Sequence, residues 1–273
     1  YIMDLRNGDC LEILKDIPSK SVDLVFADLP YGQVNCKWDC KIDLELLWKE
    51  LLRIAKSDTT PFFFTCTTKF GYELITSNKK MFKYDLVWAK SNPCGFLQAK
   101  KQPMRKHEMV YVFYKKQPAY DISSHKHKFK KEESVEEDKV YDPPLPVSVI
   151  KEEKIKSTKD NTEYSYGKNG SGGDYTKQYA KDKNYNKNQV LYDPPLPTSV
   201  LEIKSIKLKQ HSTAKPPDLM KWILKYYTKE GDMVLDPTMG SNPMGLACKE
   251  MNRNYIGIEK DPDIYKFACS RVE

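Results

Sequence analysis

The sequence predicts an α/β protein whose core is a doubly wound, mostly parallel sheet, with a polar insertion in the middle of the chain. Over residues 1–114 and 198–273, short apolar runs alternate with segments of helical periodicity. The run at residues 22–27 is apolar on both faces, as a buried parallel strand should be. Between residues 115 and 189 the composition shifts to Lys, Glu, Asn, Tyr and Gly, from which no core can be built. We therefore expect one α/β domain in two halves, 1–114 and 198–273, with 115–197 inserted between them.

Each element of this domain follows from a local pattern. Asp43 is a good N-cap residue for a helix over 44–56, whose apolar residues recur at helical spacing. A proline in the first turn favours a helix over 217–227. Further helices are predicted over 9–17 and 244–252, and a last helix opens at Asp261. The predicted strands cover residues 2–5, 22–27, 62–65, 84–89, 109–113, 199–203, 233–235 and 255–258.

Composition excludes several classes of protein. The 273 residues carry 45 Lys plus Arg against 38 Asp plus Glu, and a 40% apolar fraction favours a globular chain over a disordered one. No apolar run approaches the roughly 20 residues that a membrane helix needs. Because residues 1–9 lack a secretion signal, we expect an intracellular protein, cytoplasmic if bacterial. Seven scattered cysteines indicate reduced thiols without disulfides, and Cys36 and Cys40 lack the second ligand pair of a metal site.

A turn after the strand at 233–235 is typical of a nucleoside site. It contains Asp236, Gly240 and Ser241, and Glu259 ends the following strand about twenty residues further on. A strand, a tight turn, a helix start and a downstream carboxylate hold a ribose in doubly wound sheets. Asn242 stands where dinucleotide enzymes have a second close glycine, so an adenosine ligand without phosphates fits better. The alternative is an ordinary turn with a helix-capping acid.

The segment Asp28-Leu29-Pro30-Tyr31 comes directly after the buried strand at 22–27. Since ligands of open α/β sheets bind at the carboxyl ends of strands, Asp28 should share one edge with Asp236 and Glu259. The Asp28 carboxylate and the Leu29 carbonyl can accept the two hydrogens of an exocyclic amine, while Tyr31 stacks on the ring. This segment therefore predicts a site for an amine on a flat heterocycle.

These segments resemble, in order along the chain, the β group of amino DNA methyltransferases. Asp28 to Tyr31 is similar to the family's DPPY tetrad, with Leu29 in place of the first proline. Residues 236–245 are similar to the family's DPFxGSGTTG turn, from which they depart at Thr238, Asn242 and Pro243. Residues 211–216, His-Ser-Thr-Ala-Lys-Pro, resemble the family's HPTQKP segment. Further similar segments are 7–9 (NGD), 88–90, 106–108 and 255–259, the strand that ends in an acid.

The resemblance implies a Rossmann-like methyltransferase of permuted order that transfers a methyl group from S-adenosylmethionine to the N6 amine of a flipped-out adenine in DNA. No metal is expected. The implied catalytic residues are Asp28, Leu29, Pro30 and Tyr31. The implied cofactor-binding residues are Asp9, Asp28, Lys215, Asp236, Gly240, Ser241, Asn242 and Glu259. The expected DNA-binding residues are Lys90, Lys100, Lys101, Arg105 and Lys106.

Alternatives stay open at this point. The acceptor can instead be the N4 amine of cytosine, although family members acting on cytosine more often carry Ser at the position of Asp28, or it can be an RNA base or a protein amide. The chain can also be a non-catalytic nucleic-acid-binding protein. The basic residues from Lys100 to Lys106 can instead form a solvated loop that does not contact DNA. Two further tetrad-like segments, 142–145 and 193–196, lack the aromatic residue and a preceding buried strand, so we interpret them as connectors. A homodimer remains an option.

Overall fold

The computed structural model describes residues 1–32, 41–94, 101, 105–123, 126–128, 140–142, 200–203, 206 and 214–273. For 92–94, 126–128, 140–142 and 200–203 it describes the backbone only. The strands are β1 Met3–Asn7, β2 Leu24–Ala27, β3 Phe62–Cys66, β4 Phe82–Cys94, β5 Arg105–Phe113, β6 Lys126–Lys128, β7 Val140–Asp142, β8 Val200–Ile203, β9 Met233–Asp236 and β10 Asn254–Glu259. The α-helices are α1 Cys10–Ile13, α2 Leu44–Ile54, α3 Thr68–Ser77, α4 Pro217–Tyr227, α5 Pro243–Glu250 and α6 Pro262–Ser270.

The main sheet has the strand order β1-β10-β9-β2-β3-β5-β4-β8. The five strands from β1 to β3 run parallel, β5 is antiparallel to both β3 and β4, and β8 is parallel to β4. Strands β6 and β7 form a separate antiparallel pair. The predicted mostly parallel α/β sheet is therefore confirmed.

Strands β2 and β9 are neighbours, and they join the two halves of the sequence in one sheet. Val25 lies beside Leu235 in this pair. The chain leaves β2 toward β3 on one side and leaves β9 toward β10 on the other. Crossovers that diverge in this way open a crevice at the carboxyl ends of the two strands, which is where doubly wound sheets bind ligands.

Apolar side chains cover both faces of the sheet, as a doubly wound fold requires. In β3, Phe63 packs on one face with helices α4 and α5, while Phe62 and Phe64 pack on the other with α2 and α3. All three phenylalanines are buried. The alternation follows from the two-residue period of a strand, and it fixes the sheet between two helical layers.

Several predicted boundaries need correction. Helix α2 ends at Ile54 rather than residue 56, because Ala55 leaves the helical conformation with ψ 126°. Helix α1 covers four residues and continues as a 3₁₀ turn over Leu14–Asp16. The prediction missed helix α3, although its N-terminal signal is present: the Thr67 side chain accepts a hydrogen bond from the Phe70 backbone amide.

The beginning of the predicted insertion belongs to the packed domain. The ring of Tyr120 lies 5.6 Å from that of Tyr226 and 5.3 Å from that of Tyr227. The backbone amide of Asp121 donates to the Tyr226 carbonyl at 2.8 Å. Residues 115–123 therefore support helix α4, contrary to the expectation that this tract adds nothing to the core.

Other expectations have partial counterparts in the structure. Asp142, from the first tetrad-like connector, lies in β7 opposite Lys126, while segment 193–196 lies outside the described residues. Four described cysteines, Cys10, Cys66, Cys248 and Cys269, carry free thiols, and Cys36 and Cys40 lie outside the described part. Among the described helices, none has the length and apolarity to cross a membrane.

Candidate active site

A cavity of about 720 Å³ opens at the carboxyl ends of β2, β9 and β10. Its volume lies within the usual range for small-molecule sites, roughly 300–1,000 Å³. The cavity collects the predicted catalytic and cofactor-binding residues from both halves of the sequence, apart from Asn242. Those that line it are Asp9, Asp28, Leu29, Pro30, Tyr31, Lys215, Asp236, Gly240, Ser241 and Glu259.

The turn between β9 and α5 forms one wall of this cavity. Gly240 and Asn242 both have left-handed backbone, with φ of 52° and 61°, a conformation that glycine and asparagine tolerate best. Asn242 is fully buried and caps α5, since its Oδ1 accepts from the Gly245 amide at 3.0 Å. Asn242 therefore shapes the turn and does not line the cavity, while its Nδ2 is buried without a hydrogen-bond partner in the described part of the chain. Its cofactor contact stays a prediction.

Three polar side chains of the same wall have buried polar groups, and two of these groups have no hydrogen-bond partner in the described part of the chain. Asp236 is 1% exposed and accepts a hydrogen bond from the Thr238 amide at 3.1 Å. Burial raises the pKa of Asp236 well above its usual value, and the amide only partly opposes this effect. Within the described part of the chain, the hydroxyls of Thr238 and Ser241 are buried without a hydrogen-bond partner. Because such groups are costly when left unpaired, they indicate a polar ligand.

Glu259, at the end of β10, presents its carboxylate on the opposite side of the turn. Its Oε2 accepts from the Gly240 amide at 3.0 Å and its Oε1 from the Asp261 amide at 2.8 Å. Burial raises the pKa of Glu259, and backbone hydrogen bonds from Asp261, Gly240 and Lys260 oppose that shift. The two carboxylate oxygens have four lone pairs between them, so the side chain keeps acceptor capacity. The side chain is therefore fixed in place and can still accept from a pair of hydroxyls.

Asp9 reaches the cavity because β1 lies beside β10, where the Gly8 amide donates to the Glu259 carbonyl at 3.0 Å. The Asp9 carboxylate caps α1 through the Leu11 amide at 2.9 Å and pairs with Lys260 at 2.9 Å. The hydrogen bond from Lys260 lowers the pKa of Asp9. Asp9 is therefore a charged acceptor at the rim of the cavity.

The Asp28 carboxylate is held by three side chains, one from its own segment and two from other parts of the sequence. Its Oδ1 accepts from the Thr65 hydroxyl at 2.6 Å and from the Tyr31 hydroxyl at 3.0 Å. The Tyr31 hydroxyl also lies 3.2 Å from the Thr65 carbonyl, the longer of its two contacts. Its Oδ2 accepts from the Lys215 ammonium at 2.5 Å. The Tyr31 ring lies 5.2 Å from that of Phe70. The sequence pattern identified Asp28 and Tyr31, whereas Thr65 carried no signal beyond its place near the end of a buried strand.

Lys215 belongs to a buried chain of charges. Lys215 is 6% exposed, and its ammonium lies 3.5 Å from Glu108 Oε2. The other carboxylate oxygen of Glu108, Oε1, pairs with Lys90. Burial lowers the pKa of Lys215, but the carboxylates of Asp28 and Glu108 outweigh burial and raise it overall. The lysine therefore stays charged inside the protein. Glu108 belongs to the 106–108 segment identified in the sequence, but its ion pairs were not foreseen.

The basic residues predicted to bind DNA fall into two groups. Lys90 pairs with Glu108 and lies over the Trp88 ring at 5.2 Å, with its side chain only 14% exposed. The side chain is therefore directed inward, and its role in DNA binding stays a prediction. Lys101, Arg105 and Lys106 are exposed, and Lys100 lies outside the described residues.

Comparison with known proteins places this geometry in context. A family profile described as DNA methylase matches residues 22–270. The DNA adenine methyltransferase YhdJ of Escherichia coli (strain K12) is 27% identical over 284 residues, which cover 98% of this chain and 81% of the relative.

Two solved structures share the fold. The M1.HpyAVI–SAM complex superposes with a TM-score of 0.57 at 19% identity and covers 99% of both chains. The cytosine-N4-specific PvuII DNA methyltransferase superposes with a TM-score of 0.63 at 15% identity, covering all of this chain and 87% of that one. Both likenesses concern the fold of the chain.

Proposed function

Since the chain belongs to the DNA methylase family, we propose that it transfers a methyl group from S-adenosylmethionine to the N6 amine of adenine in DNA. The observation that carries the proposal is the Asp28 carboxylate, fixed by three side chains at the wall of a cavity that also presents Asp236 and Glu259. An amine acceptor and a nucleoside site thus lie in one crevice.

The residues of the cavity fit S-adenosylmethionine. Glu259 has free lone pairs for two ribose hydroxyls, and the buried hydroxyls of Thr238 and Ser241 offer donors that have no other partner in the described part of the chain. Asp236 and Asp9 add acceptors for amino groups. When bound, S-adenosylmethionine supplies a methyl group activated by its sulfonium sulfur. The carboxylates suit a cofactor that carries positive charge.

Asp28 acts on the target base. Its carboxylate accepts a hydrogen of the exocyclic amine, which localises the nitrogen lone pair for attack on the methyl carbon. The same negative charge stabilises the positive charge that develops on the nitrogen, and Asp28 Oδ2 is the atom that can accept the proton that the methylated amine then loses. Thr65 and Tyr31 keep the carboxylate from rotating. Preorganisation of this kind lowers the barrier without reorganisation during the reaction.

The target adenine is flipped out of the duplex. A paired base cannot present its amine inside a cavity, so extrusion is required at a cost of a few kcal/mol. The exposed side chains of Lys101 and, at the beginning of β5, of Arg105 and Lys106 can offset this cost through phosphate contacts. The Tyr31 ring lines the cavity and can stack on the extruded base.

Adenine is favoured over cytosine by two observations. YhdJ, which matches 98% of this chain, carries an adenine activity in its name. Asp28 provides a full carboxylate at the position where cytosine enzymes of the resembled group more often have Ser. The likeness to the PvuII enzyme concerns the fold alone. Transfer to cytosine N4 is the second candidate, because a carboxylate can also accept from that amine.

A labelled-methyl assay tests the class of acceptor. The protein is incubated with methyl-labelled S-adenosylmethionine in three parallel reactions. One contains duplex DNA of random sequence, one contains RNA and one contains a protein mixture. Label is expected in DNA, and S-adenosylmethionine alone should raise the melting temperature because it binds the folded state. Label in RNA or protein, or no thermal shift, would contradict the proposal.

A further inference from the structure

The acceptor capacity of Asp28 is almost used up before any base arrives. A carboxylate oxygen has two lone pairs. The two lone pairs of Oδ1 face the hydroxyls of Thr65 and Tyr31. One lone pair of Oδ2 faces the Lys215 ammonium at 2.5 Å. A target amine that donates to Asp28 must therefore use the oxygen that Lys215 already occupies.

This shared oxygen creates an electrostatic conflict during methyl transfer. The amine nitrogen gains positive charge as its lone pair forms the new bond to carbon. A lysine ammonium on the same oxygen lies close enough to repel that charge, and burial strengthens the repulsion. Lys215 is 6% exposed, so water cannot screen it effectively. The arrangement seen without a base therefore opposes the chemistry that Asp28 is proposed to perform.

Glu108 offers the ammonium another acceptor. Its Oε2 lies 3.5 Å from Lys215 Nζ, is buried, and has no hydrogen-bond partner within the described residues. Its Oε1 is anchored by the ion pair with Lys90. A small shift of Nζ from Asp28 toward Glu108 would satisfy this orphaned oxygen, since a charged hydrogen bond needs a separation of about 2.7–2.9 Å. An anchored carboxylate with one unused oxygen is suited to receive the ammonium.

We infer that Glu108 is a positioning residue that draws the ammonium of Lys215 away from Asp28 when the target amine enters. Lys215 holds Asp28 in place in the resting enzyme and moves to Glu108 in the working one. The two carboxylates and two lysines of the chain Asp28, Lys215, Glu108 and Lys90 sum to zero charge before and after the ammonium moves, because the move transfers no proton. This inference rests on the proposed function, because it concerns an amine acceptor at Asp28.

Single-turnover methyl transfer at saturating S-adenosylmethionine and DNA tests the inference. Glu108→Gln keeps the shape of the side chain but attracts the ammonium less, so the rate should fall about tenfold, the size expected for one weakened charged hydrogen bond. The affinity for S-adenosylmethionine should stay within about twofold, because Glu108 acts on Lys215 and Asp28.

The decisive variant adds Lys215→Met to Glu108→Gln. Without the Lys215 ammonium, no positive charge competes for Asp28, so Glu108 is no longer needed to draw that charge away. The double variant should therefore transfer methyl groups at least about threefold faster than Glu108→Gln alone. Lys221→Met, which removes a lysine from a surface pair with Glu250, is the matched control and should not speed up Glu108→Gln. A purely structural role of Glu108 would not produce recovery on removal of a second buried charge.

The outcomes separate this inference from the proposed function. A double variant as slow as Glu108→Gln, or slower, would overturn the inference while wild-type transfer still supported the function. Absence of methyl transfer in the wild type would instead refute the function. Should Glu108→Gln prove unstable on thermal unfolding, Glu108→Asp retains the charge at a greater distance, and the same recovery with Lys215→Met is expected of it.

Discussion

The two sides of the cavity hold their carboxylates in different ways. Asp236 and Glu259 are bound by backbone amides of turns. Those of Thr238 and Asp261 lie two positions away along the chain, and that of Gly240 lies 19 positions from Glu259, on the turn after β9. Asp28 is bound by side chains alone: that of Tyr31, three positions away, and those of Thr65 and Lys215, which lie 37 and 187 positions along the chain. One side is preformed by local turns, whereas the other depends on tertiary packing.

This difference assigns a task to each side. A carboxylate fixed by backbone amides suits binding of a ligand of constant charge, because the amides do not move. A carboxylate fixed by a lysine with a second acceptor nearby suits a reaction in which charge changes. Substitutions on the two sides should therefore separate cofactor affinity from the rate of transfer.

The largest effect is expected at Asp28. Asp28→Asn keeps the side-chain shape and removes the charge that stabilises the amine in the transition state, so single-turnover transfer should fall by about 100-fold to 1,000-fold. The S-adenosylmethionine-induced rise in melting temperature should be unchanged, since Asp28 acts on the target base. Rate and thermal shift are measured on the same preparation, and a lost thermal shift would move Asp28 to the cofactor side.

How far the sequence predicts the site follows from the same difference. Asp236, Gly240 and Glu259 belong to a local pattern of strand, turn and helix, so their place in the cavity could be predicted. Thr65 and Glu108 could not be assigned to Asp28, because only the order of β2, β3 and β5 in the sheet brings them together. The ion pair of Lys90 with Glu108 could not be predicted for a related reason, since it joins neighbouring strands β4 and β5.

The next largest effect is expected at Glu259, on the cofactor side. Glu259→Ala removes the acceptor proposed for two ribose hydroxyls, a loss of roughly 1.5–3 kcal/mol for bonds to a charged group. The dissociation constant for S-adenosylmethionine, measured by calorimetry, should rise about tenfold to a hundredfold, while transfer at saturating cofactor changes little. Glu259→Gln, which keeps one acceptor oxygen, should lie in between. An unaltered affinity in the alanine variant would place the ribose elsewhere.

The pH dependence of protein stability tests the burial of Asp236 on the cofactor side. Its raised pKa means that the folded protein binds this proton more tightly than the unfolded chain, in which the pKa is about 3.9. That stabilisation is complete below the unfolded pKa and is lost as the pH rises toward the folded-state value. Relative to wild type, Asp236→Asn should therefore gain melting temperature as the pH rises from 4 to 8 without ligand.

The Asp236 measurement needs a control for net charge. Asp218→Asn makes the same change of charge at a side chain that is 77% exposed on α4. The pH trend should be specific to Asp236. A melting temperature of Asp236→Asn that falls relative to wild type as the pH rises would contradict the assignment of a site that favours protonation.

A smaller loss is expected from the cap of α5. A Cβ atom at Gly245 would lie 2.1 Å from Asn242 Oδ1, so Gly245→Ala must break the hydrogen bond between them. Loss of an N-cap bond costs about 1–2 kcal/mol, which thermal unfolding can detect. Adding Asn242→Gly, which removes the clashing side chain while tolerating left-handed backbone, should restore part of the stability. No recovery would mean that the clash lies elsewhere.

The smallest effects are expected at the surface. Arg105→Gln and Lys106→Gln should each reduce the slope of log affinity for DNA against log salt concentration by about 0.9 if each side chain contacts one phosphate. Lys221→Gln, on α4, serves as the control and should leave the slope unchanged. Slopes equal to that of wild type in both test variants would place the DNA on another face of the protein.

The most direct test of the central claim is nucleoside mass spectrometry of a duplex methylated by the wild-type protein. The fixed carboxylate of Asp28 beside the nucleoside cavity predicts N6-methyladenine, and the Asp28→Asn variant run in parallel should yield almost none. Methyl groups on cytosine N4 in the wild-type reaction would contradict the adenine assignment, and a duplex without methyl groups would contradict the methyl-transfer account itself.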